Sequence, residues 1–282
     1  MQLARKQWRA LNDDHLARAA TWVEPYLSRR RRGEEHAGID FLFDYYRMRA
    51  SHLYKWHPGI GVDLCDAVDS EHAGWRDYVI EGSTVRVDRD NLLARRGHAF
   101  GQIHELLMAT ASRPAQFDCF GLHEWAMVYH GSPRHSLPLR LGAERTNAVV
   151  DTHTLRCTHY DAYRFFTEPA QPLNLTVLHS DERTRHEQAG CVHATMDLYK
   201  WAFKLGPTCP GELLLDCFEL AVAARRLDME ASPYDCAELG WGVVAIETAA
   251  GKAEYVRRQR ELARRGKDLR TQLVAVLDKM LD

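Results

Sequence analysis

The chain has 282 residues, 45% hydrophobic and 27% charged, which is enough to bury a sizeable core with polar groups inside it. Its 37 Lys and Arg nearly balance 39 Asp and Glu, and the net charge of -2 excludes a global attraction to polyanions, so nucleic-acid binding would require a local basic face. Seven cysteines, an odd number with no C-x-x-C pair, argue against a disulfide framework and a zinc knuckle. The segment Met1–Trp8 lacks an apolar signal core, and no apolar run approaches the roughly 20 residues needed to span a bilayer. A soluble, cytoplasmic protein with reduced thiols is expected; the oligomeric state is left open.

In chain order, residues 2–27 and 39–54 read as helices, the second carrying Phe41, Leu42, Tyr45, Met48, His52 and Leu53 at helical spacing. The basic run Arg29-Arg30-Arg31-Arg32, followed by Glu34 and Glu35, reads as a solvated turn between them. His57-Pro58-Gly59 breaks the chain, and Tyr78-Val79-Ile80 and Thr84-Val85-Arg86-Val87 flank Glu81-Gly82-Ser83 as a small hairpin inserted within 75–88, an edge decoration. Helices follow at 90–112, 115–130, 145–166, 190–205 and 211–230. A loop with Pro133 and Pro138 over 131–142 forms a lid or pocket rim. Val243–Ile246 reads as a short strand, and two amphipathic helices at 249–264 and 267–281 form a C-terminal extension. Without repeats or low-complexity linkers, the expectation is a single mainly helical, bundle-like domain over 1–282 with a small β-hairpin.

The most informative stretch is Cys191–Leu205. At about 100° per residue, His193, Asp197, Lys200 and Lys204 form one narrow polar stripe with apolar walls, Met196 and Phe203 on one side and Trp201 on the other. Such a stripe suits a helix lining a polar cavity, where titratable groups point to catalysis or binding. If it is functional, Asp197→Asn is expected to abolish activity and leave the thermal midpoint nearly unchanged. Three more segments place ionisable groups in apolar sequence. In Phe117–His130, Cys119, His123 and His130 share a face and Glu124 lies among apolar residues, where a carboxylate needs a partner. In Arg156–Phe166, His159 or Asp161 points inward at a helix start beside Tyr163 and Phe166. In 216–234, Asp228 sits on the apolar face, with Arg225 and Arg226 on other faces.

Helical bundles that bind two irons or manganese ions draw ligands from facing helices in this way, but this chain has no clean E-x-x-H pair on a helix and no H-E-x-x-H. The ligand pool for iron or manganese would be His123, Glu124 and Asp228, with His159, His193 and Asp197. A phosphate-binding glycine loop and a G-x-S-x-G elbow are both lacking.

Several blocks resemble a bacterial family labelled as 3-methyladenine DNA glycosylases: Phe41-Leu42-Phe43-Asp44-Tyr45-Tyr46, Trp56-His57-Pro58-Gly59, Asp118–Tyr129, Arg156–Phe166, Gly190–Leu205 and Leu227–Asp235, together spanning most of the chain. The resemblance implies a hydrolase in DNA repair that flips an alkylated base into an aromatic pocket, with a carboxylate orienting water or stabilising the oxocarbenium ion. His57-Pro58-Gly59-Ile60-Gly61 and Val150–Arg156 also resemble the hairpin and the catalytic-Asp segment of helix-hairpin-helix glycosylases, which implies Asp151 as a catalytic candidate. On this reading Asp161, Asp197 or Asp151 is the carboxylate, His159 and His193 move protons, and Trp125, Tyr163 and Trp201 stack on the base. Lys200 and Arg156 complete the binding set, and the partner is DNA or another nucleobase-containing substrate. The second reading is a metal-dependent enzyme, an oxidoreductase included, acting on a small metabolite and built on a bundle resembling the haem-oxygenase-like scaffold.

Overall fold

A computed structural model describes residues 1–133 and 135–282 and is mainly helical with a small sheet. Strand β1 (Gln2–Leu3) leads into the long helix α1 (Arg5–Arg32) and the short helices α2 (Phe41–Asp44) and α3 (Ala50–Leu53). Strands β2 (Asp63–Leu64), β3 (Tyr78–Glu81) and β4 (Thr84–Val87) precede α4 (Arg89–Ser112), α5 (Leu122–Ala126), α6 (Gly142–Asp151), α7 (Tyr160–Tyr163) and α8 (Arg183–His186). Helices α9 (Val192–Leu205), α10 (Gly211–Ala231) and α11 (Ala249–Leu281) close the chain.

Helix α10 is buried almost all round, with Leu215, Cys217, Phe218, Leu220, Ala224, Leu227 and Asp228 closed off from solvent. It packs against α9, α11 and α1, and α11 in turn packs against α4 and α9. One apolar cluster runs from Trp8 through Leu64 and Val85 of the sheet, Phe100 of α4 and Leu220 of α10 to Met280 of α11. A helix hydrophobic all round belongs at the centre of a layered core, and its few polar groups must then be met by partners from the neighbouring layers.

The sheet has the order β1-β2-β4-β3, with β1 parallel to β2 and the other pairs antiparallel. The expected hairpin is present, with Glu81 opposite Thr84 and Gly82 at φ 62° in the turn. It is more than an edge decoration, because β4 also pairs with β2 through Asp63↔Arg86 and Leu64↔Val85. The arginine run ends α1, where cations oppose the carbonyl end of the helix dipole. Arg29 pairs with Asp40, and Arg32 reaches Glu34 at 2.6 Å.

Five expected helices differ, each for a local reason. Residues 39–54 form two short helices because Arg47, at φ 52°, turns the chain between them. The helix expected over 115–130 shrinks to α5, since Phe120 and Gly121 both take positive φ and His130 does so at the far end. The stretch 145–166 is helical to Asp151 and again only in the single turn of α7. Thr152 and His153 bond back to the carbonyls of Ala148 and Val149, and the chain then runs extended, held by the Asn174 side chain on Cys157. The two C-terminal helices are one, because Gly266, at the expected break, gives α11 a close approach to Thr195 of α9. Val243–Ile246 is not a strand; the Val244 N–H bonds to the Glu230 carbonyl instead.

Helix α11 starts at Thr248, whose hydroxyl accepts from the Gly251 N–H at 3.0 Å. A Cβ on Gly251 would stand 1.9 Å from the Ala245 carbonyl oxygen, whereas one on Gly101 in α4 would meet nothing. Gly251→Ala should therefore cost about 1–3 kcal/mol. Gly101→Ala should add about 0.5–1 kcal/mol by restricting the unfolded chain. Urea unfolding of both variants tests the pair, and equal stability would contradict this account of the α11 start.

Candidate functional site

Where α9 and α10 face the segments before and after them, a buried polar seam crosses the core. At one end Asp197 of α9 accepts from Tyr46 Oη at 2.9 Å, from Lys200 Nζ at 2.8 Å and from Arg183 Nη2 at 3.2 Å. Asp161 receives Lys200 Nζ at 3.0 Å and lies 3.1 Å from Arg183 Nη2, and Glu187 accepts from Arg183 Nε at 2.8 Å. His159 is inserted between them, its Nδ1 3.4 Å from Glu187 and its Nε2 3.7 Å from Asp197. His159 and Asp161 both turn inward although they are two apart, because His159 is the extended residue preceding α7 rather than part of it.

The other end is built on Asp228 of α10. Its Oδ1 meets His123 Nε2 at 2.7 Å and its Oδ2 accepts from Arg225 Nη1 at 2.8 Å, while the same Arg225 nitrogen donates to Glu124 Oε1 at 2.9 Å. Cys119 Sγ lies 3.5 Å from His123 Nδ1. Arg225 is therefore not on another face: its long side chain folds back one turn to reach Asp228. His193 joins the two ends, its ring edge-on to His123 at 4.5 Å between centroids and stacked on His159 at 5.4 Å.

The electrostatics follow from burial and partners. Burial opposes ionisation of Asp197, but Lys200, His159 and Arg183 outweigh it and hold the carboxyl well below its usual range. Asp161 is lowered by the same balance, with Lys200 and Arg183 against burial. Burial also opposes charge on His123, yet Asp228 raises its pKa well above the usual imidazole value, and the pairing lowers Asp228 in return. Glu124 goes the other way: burial and the neighbouring Asp228 raise it despite Arg225. Burial and the charge on His123 push His193 down to about 3, so its ring is neutral at pH 7, and among the described residues neither ring nitrogen has a hydrogen-bond partner.

Over this seam lies a cavity of about 180 Å³. Phe41, Tyr45, Tyr46 and Phe165 wall it, and Glu124, Asp161, His193 and Arg225 offer it polar groups. Phe41 and Tyr45 stack at 4.7 Å with 10° between planes, and the Arg225 guanidinium sits 4.2 Å from the Phe41 ring centre. His135 also lines it, so the 131–142 loop supplies part of the rim. The loop is tied down by the Arg140 N–H on the Pro233 carbonyl and by Arg140 on Glu247 at 2.6 Å.

Thus His193, Glu124 and Asp161 reach the cavity, and Asp197, His159, His123, Asp228 and Lys200 stand in the seam behind it. Five other expected residues lie outside both the cavity and the seam. Asp151 is exposed on α6 and accepts from Tyr129 Oη at 2.6 Å, and Arg156 is half exposed and paired with Asp118 at 3.0 Å. Trp125 is fully buried, its indole N–H given to the Ala231 carbonyl. Tyr163 packs on Phe166, and Trp201 faces an outer groove among Lys200, Lys204 and Arg183. The segment 57–61 is not the hairpin of a helix-hairpin-helix, since Gly59 packs on Pro210 and Ile60 bonds to the Thr208 carbonyl.

Sequence reasoning missed the aromatic walls, Arg183 and the role of Arg225. Only the i,i+3 spacing of Arg225 and Asp228 carried a signal.

Two groups have the geometry to hold a metal ion: His123, His193 and Asp228, and His159, Asp161 and Asp197, each with ligand atoms within 4.8 Å of one another. Their carboxylates are already met by Arg225, Lys200 and Arg183, and His123 is held protonated, so a metal would have to displace those cations and that proton. Among the described residues no helix is long and apolar enough to cross a membrane, and all seven cysteines are free. No family model, no curated protein and no solved structure matches this chain.

Proposed function

We propose that the chain is a hydrolase that cleaves the N-glycosidic bond of an alkylated nucleobase. What carries the reading is that two carboxyl groups on one aromatic-walled cavity are driven in opposite directions, Glu124 up and Asp161 down. Such a split assigns an acid and a base, and cleavage through an oxocarbenium-like transition state needs both. The base stacks between the aromatic walls, and Glu124, the carboxyl that burial and Asp228 raise, donates to it in its protonated form as the bond to the sugar breaks. Arg225 stabilises negative charge developing on the leaving base. Ionised Asp161 faces the positive charge growing on the sugar, and neutral His193 accepts the proton of the water that adds there. The hydroxyl goes to the sugar carbon and the proton to the base, so the hydrolysis balances. Because Arg225 already places a cation at the base end, a neutral alkylated base suits this end better than a cationic one.

The test is chromatographic detection of free base released from alkylated DNA carrying neutral and cationic lesions, and from the corresponding nucleosides. Glu124→Gln should lower kcat by roughly 10²–10⁴-fold with KM little changed, since glutamine keeps the contact with Arg225 but cannot donate as an acid. Wild-type protein that releases no base from any of these substrates ends this reading.

The second reading, a metal-dependent enzyme on a small metabolite, is favoured by one observation, the unpartnered neutral ring of His193 within reach of His123 and Asp228. Elemental analysis of the same preparation for iron, manganese and zinc separates the two: bound metal lost in His193→Ala supports the second, and a metal-free protein that releases base supports the first.

A further inference from the structure

Away from the aromatic cavity and sharing none of its lining residues, a groove of about 520 Å³ runs between α11, the end of α4 and the segment before α9. Five cations line it: Arg113, Arg260, Arg264, Lys267 and Arg270. Among the described residues no carboxylate does. Arg260, Arg264 and Lys267 recur along α11 at helical spacing and so share one face. Among the described residues only Arg264 of the five has an acidic partner, Glu261 at 2.6 Å; Arg113 donates to the carbonyls of Ala109 and Glu187, and Arg260 lies 5.4 Å from the Phe117 ring centre.

The decisive residue is Arg270. It is 2% exposed, its Nε and Nη2 are buried without a hydrogen-bond partner, and among the described residues the guanidinium forms no ion pair. A buried guanidinium with no anion is among the costliest arrangements a core can hold. The nearby Glu187 carboxylate does not answer it, since Glu187 is bonded to Arg183. Arg270 lines the groove, which is therefore the open side from which an anion can reach it.

We propose that this groove binds a small molecule carrying a terminal phosphate on an aromatic body, with the phosphate reaching Arg270 and Arg113 and the ring lying against Phe117. The form of the ligand follows from the burial. A terminal phosphate can be inserted end-on to a guanidinium that is 2% exposed, whereas a backbone phosphodiester, flanked by sugars on both sides, cannot. The apolar floor of Met108, Ala263 and Val274 accepts the body, and the volume falls in the range of small-molecule sites. Two of three phosphate oxygens pair with an arginine fork in the bidentate manner that such sites favour.

The experiment is calorimetric titration of the full chain with phenyl phosphate, inorganic phosphate, phenol and a single-stranded oligonucleotide, at matched ionic strength. Phenyl phosphate should bind more tightly than inorganic phosphate, and phenol should give no heat. Affinity for phenyl phosphate should fall at least about ten-fold in R260E/K267E, whose two positions are exposed, and in R270Q. Three results overturn the proposal: no binding of either phosphate, binding unchanged in both variants, or binding of the oligonucleotide alone, which would make the groove a polyanion strip. Because R260E/K267E leaves the aromatic cavity untouched, base release by this variant reports on the other site separately.

Discussion

Asp197→Asn is expected to lower the stability of the protein by roughly 3–5 kcal/mol, the cost of breaking a buried ion-pair network by removing one partner. For a chain of this size that is a fall of roughly 6–10 °C in the thermal midpoint. The stripe on α9 alone suggested an activity loss with the midpoint nearly unchanged. The partners change that expectation: Asp197 is buried and binds Tyr46, Arg183 and Lys200 at once, so the variant removes one of the three buried carboxylates that Lys200 and Arg183 share and leaves both cations to Asp161 and Glu187. The sign of the pH dependence follows from the lowered Asp197 carboxyl. A carboxyl held below its unfolded value, about 3.9, contributes its full stability above that pH and loses it as pH falls toward the folded value. The gap between wild type and variant should therefore be full at pH 7 and narrow below about pH 4. Urea midpoints measured across this range decide it, and an Asp197→Asn variant as stable as wild type at pH 7 would show that the network contributes nothing.

The second large effect is expected at Arg225, which is 1% exposed and is the cation shared by Glu124 and Asp228. Arg225→Met leaves two buried carboxyls facing each other with His123 as their remaining cation, again at a cost of roughly 3–5 kcal/mol. Glu124 is already raised by burial and by Asp228, and loss of Arg225 removes the influence that holds it down. A carboxyl whose folded pKa exceeds its unfolded value of about 4.3 stabilises the fold at low pH and loses that contribution as pH rises through the folded pKa. The variant should therefore lie closer to wild type at pH 5 than at pH 8. Adding Glu124→Gln should recover at least about 1 kcal/mol and flatten the pH slope, a coupling that a double-mutant cycle reads directly. An equal deficit at both pH values in single and double variants would exclude Glu124 as the titrating group.

The class of fold and the long helices were legible because their signals are local: the periodicity of α4, α9 and α10 and the turn at Gly82 each lie within one segment. The stripe of His193, Asp197 and Lys200 was legible for the same reason, since a buried polar line on an apolar helix is anomalous wherever it packs. The helix breaks were not, because Arg47, Phe120 and His130 carry positive φ without being glycine, a conformation that tertiary context imposes. The cavity walls depend on that same context. Tyr45 and Tyr46 face the site only because the chain turns at Arg47, and Phe165 only because α7 is a single turn. Two of the aromatics that the resemblance implied would stack on the base, Trp125 and Tyr163, are spent instead on core packing and on hydrogen bonds to the carbonyls of Ala231 and Gln171. Arg183 stands in a one-turn helix with no pattern to mark it, yet it neutralises three carboxylates.

The turn at Arg47 also bears on how a ligand gains admission. Tyr45 and Tyr46 of the cavity's aromatic wall belong to the irregular passage between α2 and α3, which is held by turn hydrogen bonds such as Met48 N–H to the Phe43 carbonyl rather than by a continuous helical ladder. The opposite wall belongs to α9 and α10, the most enclosed helices of the fold. Local opening has a free energy that follows the contacts it breaks. Displacing the passage would break the Tyr46 Oη–Asp197 hydrogen bond but none of the ion pairs that join Asp197 to Lys200 and Arg183. The molecule thereby separates the part that must yield from the part that must not.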